Sequence, residues 1–197
     1  MIKLPWKNRE LLESEDYNWI VQYLLNLEIP LSYLDPPNEK QEKQVEAICQ
    51  YLLGTRHFVL LVCNNSAYVK ELYYRVAATW LLTTETGFEI SGPLDLDPYS
   101  QDFWARVKRL KETSLLMVPY TDPSDYTLRK TKTAMGSIMS NRKAARLPTI
   151  TDLYIKGDAS QEKLGGSIEN LSAVFGEHCI PMFLEQNSNA KIVKIRR

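Results

Sequence analysis

One stretch of this chain sits where phosphate chemistry is usually found. An apolar run at residues 58–62, "FVLLV", passes through a polar turn into the amphipathic stretch "SAYVKELYYRVAATWLL". A strand, a tight turn and a helix in that order frame a phosphate-binding loop. In such a loop glycines let backbone N–H groups converge, a lysine reaches the β- and γ-phosphates, and a Ser or Thr holds the metal. Here the turn reads Cys63, Asn64, Asn65, Ser66, Ala67, Tyr68, Val69, Lys70, with no glycine. The frame is present without its glycines, which reads either as an ordinary strand, polar turn and helix or as a nucleotide site that has lost its chemistry.

Four other groups merit weighing. Residues 129–146 hold Arg129, Lys130, Lys132, Arg142, Lys143 and Arg146 with no acid between them. Such a stripe can track a phosphate backbone, and the plainer reading is a solvated helix face. His57 and Cys63 could pair as a nucleophile, but they bracket a strand and stand roughly 20 Å apart if extended. Glu177, His178 and Cys179 adjoin one another without the spacing that makes metal ligands converge. Trp6, in "MIKLPWKNRELL", reads either as a docking anchor for a protein partner or as a side chain packed onto the domain. Tyr73, Tyr74 and Trp80 stand at helical spacing behind the turn, as core residues do, while an exposed Tyr73 would instead mark a partner surface.

Composition bounds what these residues can belong to. The chain has 197 residues, 44% hydrophobic and 24% charged, enough for a sizeable core. Cys49, Cys63 and Cys179 are an odd, dispersed set, which favours reduced thiols over a disulfide framework. No apolar run approaches the roughly 20 residues that cross a bilayer, and the expected setting is the cytoplasm, with no membrane partner. The formal net charge is zero, yet residues 1–98 carry 8 Lys/Arg against 14 Asp/Glu while residues 99–197 carry 16 against 10. The two halves suit different partners, or each other.

The elements that must position these groups alternate. "SEDYNWIVQYLLNL" has apolar residues at helical spacing, with Ser14, Glu15 and Asp16 as capping candidates. Pro30, Pro36 and Pro37 break the chain before the helix "EKQEKQVEAICQYLLG", closed by Gly54. After the strand at 58–62 and a helix over about 67–82, "TGFEISG" has room for a short strand at most. "SQDFWARVKRLKE" reads as a helix, "SLLMV" as a buried strand, "YTLRKTKTAMGSIMSNRKAAR" as a long helix and "LPTITDLYI" as a third strand. Strand character returns in "CIPMFLE" and "AKIVKIRR". Short apolar strands between helices imply an α/β fold, a three-layer α/β/α arrangement with a mostly parallel central sheet and an N-terminal helix. The expected organisation is an N-terminal segment and helix at 1–30 and one α/β domain at 31–197. Residues 58–62, 114–118 and 147–155 should be adjacent strands, with Leu60, Leu116 and Ile150 buried together.

"LEIPLSYLD" resembles the Gly-Ile-Pro-x-x-Tyr opening segment of the helicase-loader and transposition-helper ATPases, the DnaC/DnaI/IstB-type branch of the AAA+ family. "LLMVPYTDPSDYTLRKTKTAMGSIMSNRKAARLPTI" is similar to that branch's Walker B strand, its following helix and the start of its sensor 1 strand, and "GSIENLSAVFGEHCIPMFLE" to its arginine-finger segment. The likeness spans roughly residues 27–197 and implies a P-loop, AAA+-like core. The positions it assigns to chemistry are altered. Cys63, Ser66 and Tyr68 fall where glycines belong, Val69 where the lysine belongs and Lys70 where the Ser/Thr belongs. The Walker B acids fall on Pro119 and Tyr120, a sensor 1 polar residue falls near 152–154, and "SIENLS" offers no arginine. Phosphoryl transfer depends on these parts acting together. The resemblance therefore implies a pseudo-ATPase without cofactor or metal: a helicase-loader-like adaptor in bacterial or mobile-element DNA replication or recombination. Its partner would be a replicative helicase, an AAA+ paralogue or a transposase, with single-stranded DNA as a second ligand. The competing readings are a diverged active NTPase using Lys70 with Asp122 or Asp125, and a stand-alone single-stranded-DNA-binding module.

Overall fold

Five consecutive apolar side chains form a stable strand only where both faces of a sheet are covered. In the computed structural model, which describes residues 1–54, 58–63, 65–119, 129–154 and 190–194, the run at 58–62 lies in β1 (Phe58–Cys63). Its partners are β2 (Phe88–Ile90), β3 (Leu115–Val118), β4 (Thr149–Tyr154) and β5 (Ala190–Lys194). They form one sheet in the order β2-β3-β4-β1-β5, with every pair parallel. The α/β class with a parallel sheet is the one expected from the alternation of elements.

The register sharpens the expectation for the core. Leu60, Leu116 and Ile150 belong to one sheet and are all fully buried. Ile150 pairs with Val59 and Met117, whereas Leu116 pairs with Thr149, which itself pairs with Phe58. Because paired residues share a face and neighbours along a strand alternate, Leu60 and Leu116 lie on one face and Ile150 on the other. A fully buried side chain of this size contributes about 1.5–3 kcal/mol, so both faces of the sheet are held by burial.

Contacts divide the chain into two compact units, Met1–Gln50 with Ala67–Gly87, and Tyr51–Ser66 with Phe88–Arg197. In the first unit α4 (Ser66–Thr84) is tied to the N-terminal elements by side chains. Lys3 N donates to Thr83 Oγ1 at 3.0 Å, and Tyr68 Oη donates to Gln44 Oε1 at 2.5 Å.

In the first unit a short α1 (Arg9–Leu12) precedes α2 (Asn18–Asn26) and α3 (Glu39–Leu53). Ser14, Glu15 and Asp16 do not cap α2. Glu15–Tyr17 form a 3-10 turn, and Ser14 Oγ donates back to Leu11 O at 2.6 Å. The α3 helix has a cap that goes beyond the sequence reading, since Asn38 Oδ1 accepts from Gln41 N at 2.9 Å. At the end of α2, Ile29 N donates to Leu24 O and Glu28 N to Leu25 O, both at 2.9 Å. This is a Schellman cap whose left-handed residue is Glu28, at φ 56°.

In the second unit α5 (Phe103–Glu112) and α6 (Arg129–Ala144) are the crossovers from β2 to β3 and from β3 to β4. Both crossovers step in the same direction across the sheet, so right-handed connections place both helices on one face. Two contacts mark that face. Arg109 Nε on α5 pairs with Glu89 of β2 at 2.8 Å, and Arg142 Nε on α6 donates to Thr149 Oγ1 of β4 at 2.8 Å. No helix among the described residues is long and apolar enough to cross a membrane.

Candidate functional site

The eight positions 63–70 are where a phosphate loop would be built. Cys63 closes β1 and α4 begins at Ser66, so only Asn64 and Asn65 lie between strand and helix. Ser66, Ala67 and Tyr68 already belong to the first turn of α4. Val69, at the lysine position, is 2% exposed. Lys70 is exposed, with its ammonium 5.7 Å from the centre of the Tyr74 ring, one turn further along the same helix. Tyr68 spends its hydroxyl on Gln44, and burial pushes its phenol above the ordinary tyrosine range. These three side chains occupy the positions that the resemblance gives to glycine, lysine and Ser/Thr.

At the ends of the neighbouring strands the polar groups are also accounted for. Val118 ends β3 and its carbonyl accepts from Thr151 Oγ1 at 3.0 Å. Pro119 follows, half-buried, and supplies neither a carboxylate nor an N–H. Asp152, near the position the resemblance gives to a sensor, is buried in β4 and paired in register with Leu61. Tyr120, Asp122, Asp125, His57 and residues 177–179 lie outside the described residues, as does "CIPMFLE". Among the described residues no group of three or more His, Cys, Asp or Glu could hold a metal ion. Cys49 is fully buried and burial raises its thiol well above the ordinary range, which makes it unreactive.

The basic stretch is split. Thr131, Ala134, Met135, Ile138, Met139 and Arg142 form the buried face of α6, so Arg142 belongs to the core and is withdrawn from any nucleic-acid surface. It is fully buried. Its guanidinium donates to Thr149 Oγ1, to Leu110 O at 3.0 Å, to Thr113 O at 2.7 Å and to Pro148 O at 2.6 Å. Burial lowers its pKa to about 10. Two of those carbonyls stand at the C-terminal end of α5, where a cation is favoured. The spacing of Arg142 from Ile138 and Met139 already put it on the apolar side, and this was the signal that charge alone hid.

The other five basic residues are less uniform than a stripe. Lys130 Nζ donates to Pro98 O at 2.8 Å and lies 4.9 Å from the centre of the Phe103 ring. Lys132 is half-buried, with contacts of its own. Arg146 is the left-handed residue, φ 55°, of the Schellman cap that ends α6. Arg129, Lys143 and Arg146 keep exposed side chains.

Trp6 is not a free anchor. Its Nε1 donates to Glu42 Oε2 at 2.9 Å, and the guanidinium of Arg75 stands 5.8 Å from its ring centre. Arg75, 7% exposed, also donates to Tyr33 O at 3.2 Å and Asp35 O at 2.7 Å, and so fastens "IPLSYLD" to α4. Tyr73 and Trp80 are buried as expected, and Tyr74 meets Tyr33 edge to face at 5.1 Å.

The sheet and its crossovers define a parallel α/β fold. Among solved structures the chain is similar to the DnaC helicase loader, at 13% identity over 82% of this chain and 93% of that one, with a TM-score of 0.61. It is similar to DnaI at 16% identity over 84% and 90%, with a TM-score of 0.54. It is also similar to AMPPCP-bound DnaA from Aquifex aeolicus, at 11% identity over 85% of this chain and 51% of that one, with a TM-score of 0.58. At such identities the likeness is one of fold. No protein-family model matches the chain, and no curated protein matches it by sequence.

Proposed function

We propose that the protein is a non-catalytic, helicase-loader-like adaptor in DNA replication or recombination of a bacterium or a mobile element. It would act by holding a replicative helicase, an AAA+ paralogue or a transposase. The observation that carries this reading is the start of α4 at Ser66 with Val69 buried in the lysine position. Residues that would cradle phosphates have been turned to packing, while the fold shared with DnaC and DnaI has been kept. Phosphoryl transfer is almost wholly positioning and charge stabilisation, so a fold without its loop, lysine and Walker B acids keeps a shape for partners and loses the reaction.

Calorimetry tests it. With Mg²⁺ and ATP up to about 1 mM, the upper end of usual enzyme KM values, the intact protein should give no saturable heat and no turnover. Binding in the micromolar range, with turnover abolished by Asp122→Ala, would replace this reading with that of a diverged NTPase. Co-migration of the purified chain with a purified replicative helicase or transposase then decides which process it serves.

A further inference from the structure

The α5 helix buries Phe103, Val107 and Leu110. These positions recur at i, i+4 and i+7, which leaves Trp104 one residue out of phase and 65% exposed. Beside it, between α5 and α6, lies an open cleft of about 490 Å³ lined by Trp104, Arg129, Lys130, Thr133, Ala134 and Ser137. An exposed indole against such a cleft is the kind of side chain that dominates protein interfaces.

The polar groups around the cleft say what would fill it. The Lys130 ammonium is committed to Pro98 O and lies 5.8 Å from the centre of the Trp104 ring. Thr133 spends its hydroxyl on Arg129 O at 3.0 Å. Among the described residues, the side chain of Arg129 has no hydrogen bond or ion pair. Among the described residues the lining therefore offers an apolar seat of indole, Ala134 and aliphatic stems, the Ser137 hydroxyl, one guanidinium without a side-chain partner, and no carboxylate.

A nucleic-acid strand is a poor match. It needs a row of free cations for its phosphates, and a base pushed into this seat would leave its polar edge without partners. A peptide side chain fits better if it is aromatic or branched aliphatic with a carboxylate beside it, because arginine pairs with carboxylates through two parallel bonds.

We propose that the Trp104–Arg129 cleft is a docking site for an acidic segment of a partner protein, with an apolar side chain seated against Trp104 and an adjacent Asp or Glu held by Arg129. The site deepens the adaptor reading by naming the chemistry of a partner, and it stands on the cleft alone.

The probe is a displayed library of random dodecapeptides, panned on the intact protein. Enriched peptides should combine Phe, Trp or Leu with neighbouring Asp or Glu. One such peptide, made synthetically, should lose about tenfold or more in affinity, about 1.4 kcal/mol, on either Trp104→Ala or Arg129→Glu. Both positions are exposed, and unchanged thermal melting shows that the variants fold. No enrichment, enriched peptides without carboxylates, or affinities unmoved by both substitutions would overturn the site. So would an oligo-dT strand whose binding is abolished by Trp104→Ala, which would reassign the cleft to nucleic acid. Failure here leaves the adaptor reading to the helicase and transposase experiments.

Discussion

Arg142 Nε of α6 donates to Thr149 Oγ1 of β4 across 2.8 Å, and the hydroxyl passes the bond on to Leu147 O at 3.0 Å. With Leu110 O, Thr113 O and Pro148 O on the same guanidinium, one side chain joins α5, α6 and the first residue of β4. Arg142→Met should leave these acceptors without donors, at about 1–3 kcal/mol for each one that stays buried. The expected loss is about 3–5 kcal/mol, and Arg142→Lys should recover little of it because an ammonium lacks the planar fork. Chemical denaturation checks this. A loss below about 1 kcal/mol would show that the residue is not a structural tie.

Glu28 takes the left-handed position where the Gly-Ile-Pro-x-x-Tyr segment has glycine. An L-residue pays about 1–2 kcal/mol in that conformation, offset in part by the greater unfolded-state entropy of glycine. Glu28→Gly should therefore stabilise the protein by about 0.5–1 kcal/mol, a rise in Tm of roughly 1–4 °C. A lower Tm would mean that the Glu28 side chain contributes more than its backbone costs.

The carboxylate of Glu42 receives the Lys7 ammonium and the Trp6 indole N–H, and the Lys7 bond above all holds its pKa below the usual carboxylate range. A depressed carboxylate stabilises the fold above its unfolded pKa, and that stability is lost as pH falls through the folded value. Between about pH 5 and pH 3 the parent should lose more Tm than Glu42→Gln. Parallel melting curves for the two proteins would remove Glu42 from the acid limb.

Removing Arg142 from the basic stretch leaves Arg129, Lys143 and Arg146 as its exposed cations without side-chain bonds among the described residues. Each phosphate neutralised on a single strand adds a salt slope of about −0.7, so three contacts give about −2. Anisotropy with labelled single-stranded DNA should show weak, sequence-indifferent binding of that slope. Lys143→Ala with Arg146→Ala should weaken it and Trp104→Ala should leave it unchanged. A slope that survives the double substitution would make these side chains a solvated face.

Much of the fold was legible because it depends on local pattern. The continuous apolar runs announced β1 and β3, the stretch "LPTITDLYI" announced β4, and the prolines and Gly54 marked where helices stop. The α6 helix was legible despite Gly136, since its apolar residues keep helical spacing. The start of α2 was misread because Ser14 can bond to Leu11 O as readily as to a helix N–H, and sequence alone does not choose between them. Trp104 was overlooked for a similar reason. Its type suggests a core residue, and only its phase against Phe103, Val107 and Leu110 puts it outside.

The sequence by itself determined which residue types stand at the positions in question, because 63–69 need no coordinates to lack glycine and lysine, and Pro119 and Tyr120 none to lack acid. Tertiary structure decided which charged and aromatic side chains are spent. Arg142, Arg75 and Trp6 look like surface groups in a linear reading, and each is consumed by partners 6 to 42 positions away. Charge and aromaticity are properties of a residue. Availability depends on what the fold brings within about 3 Å of it, and that distance is set by elements far apart in the chain.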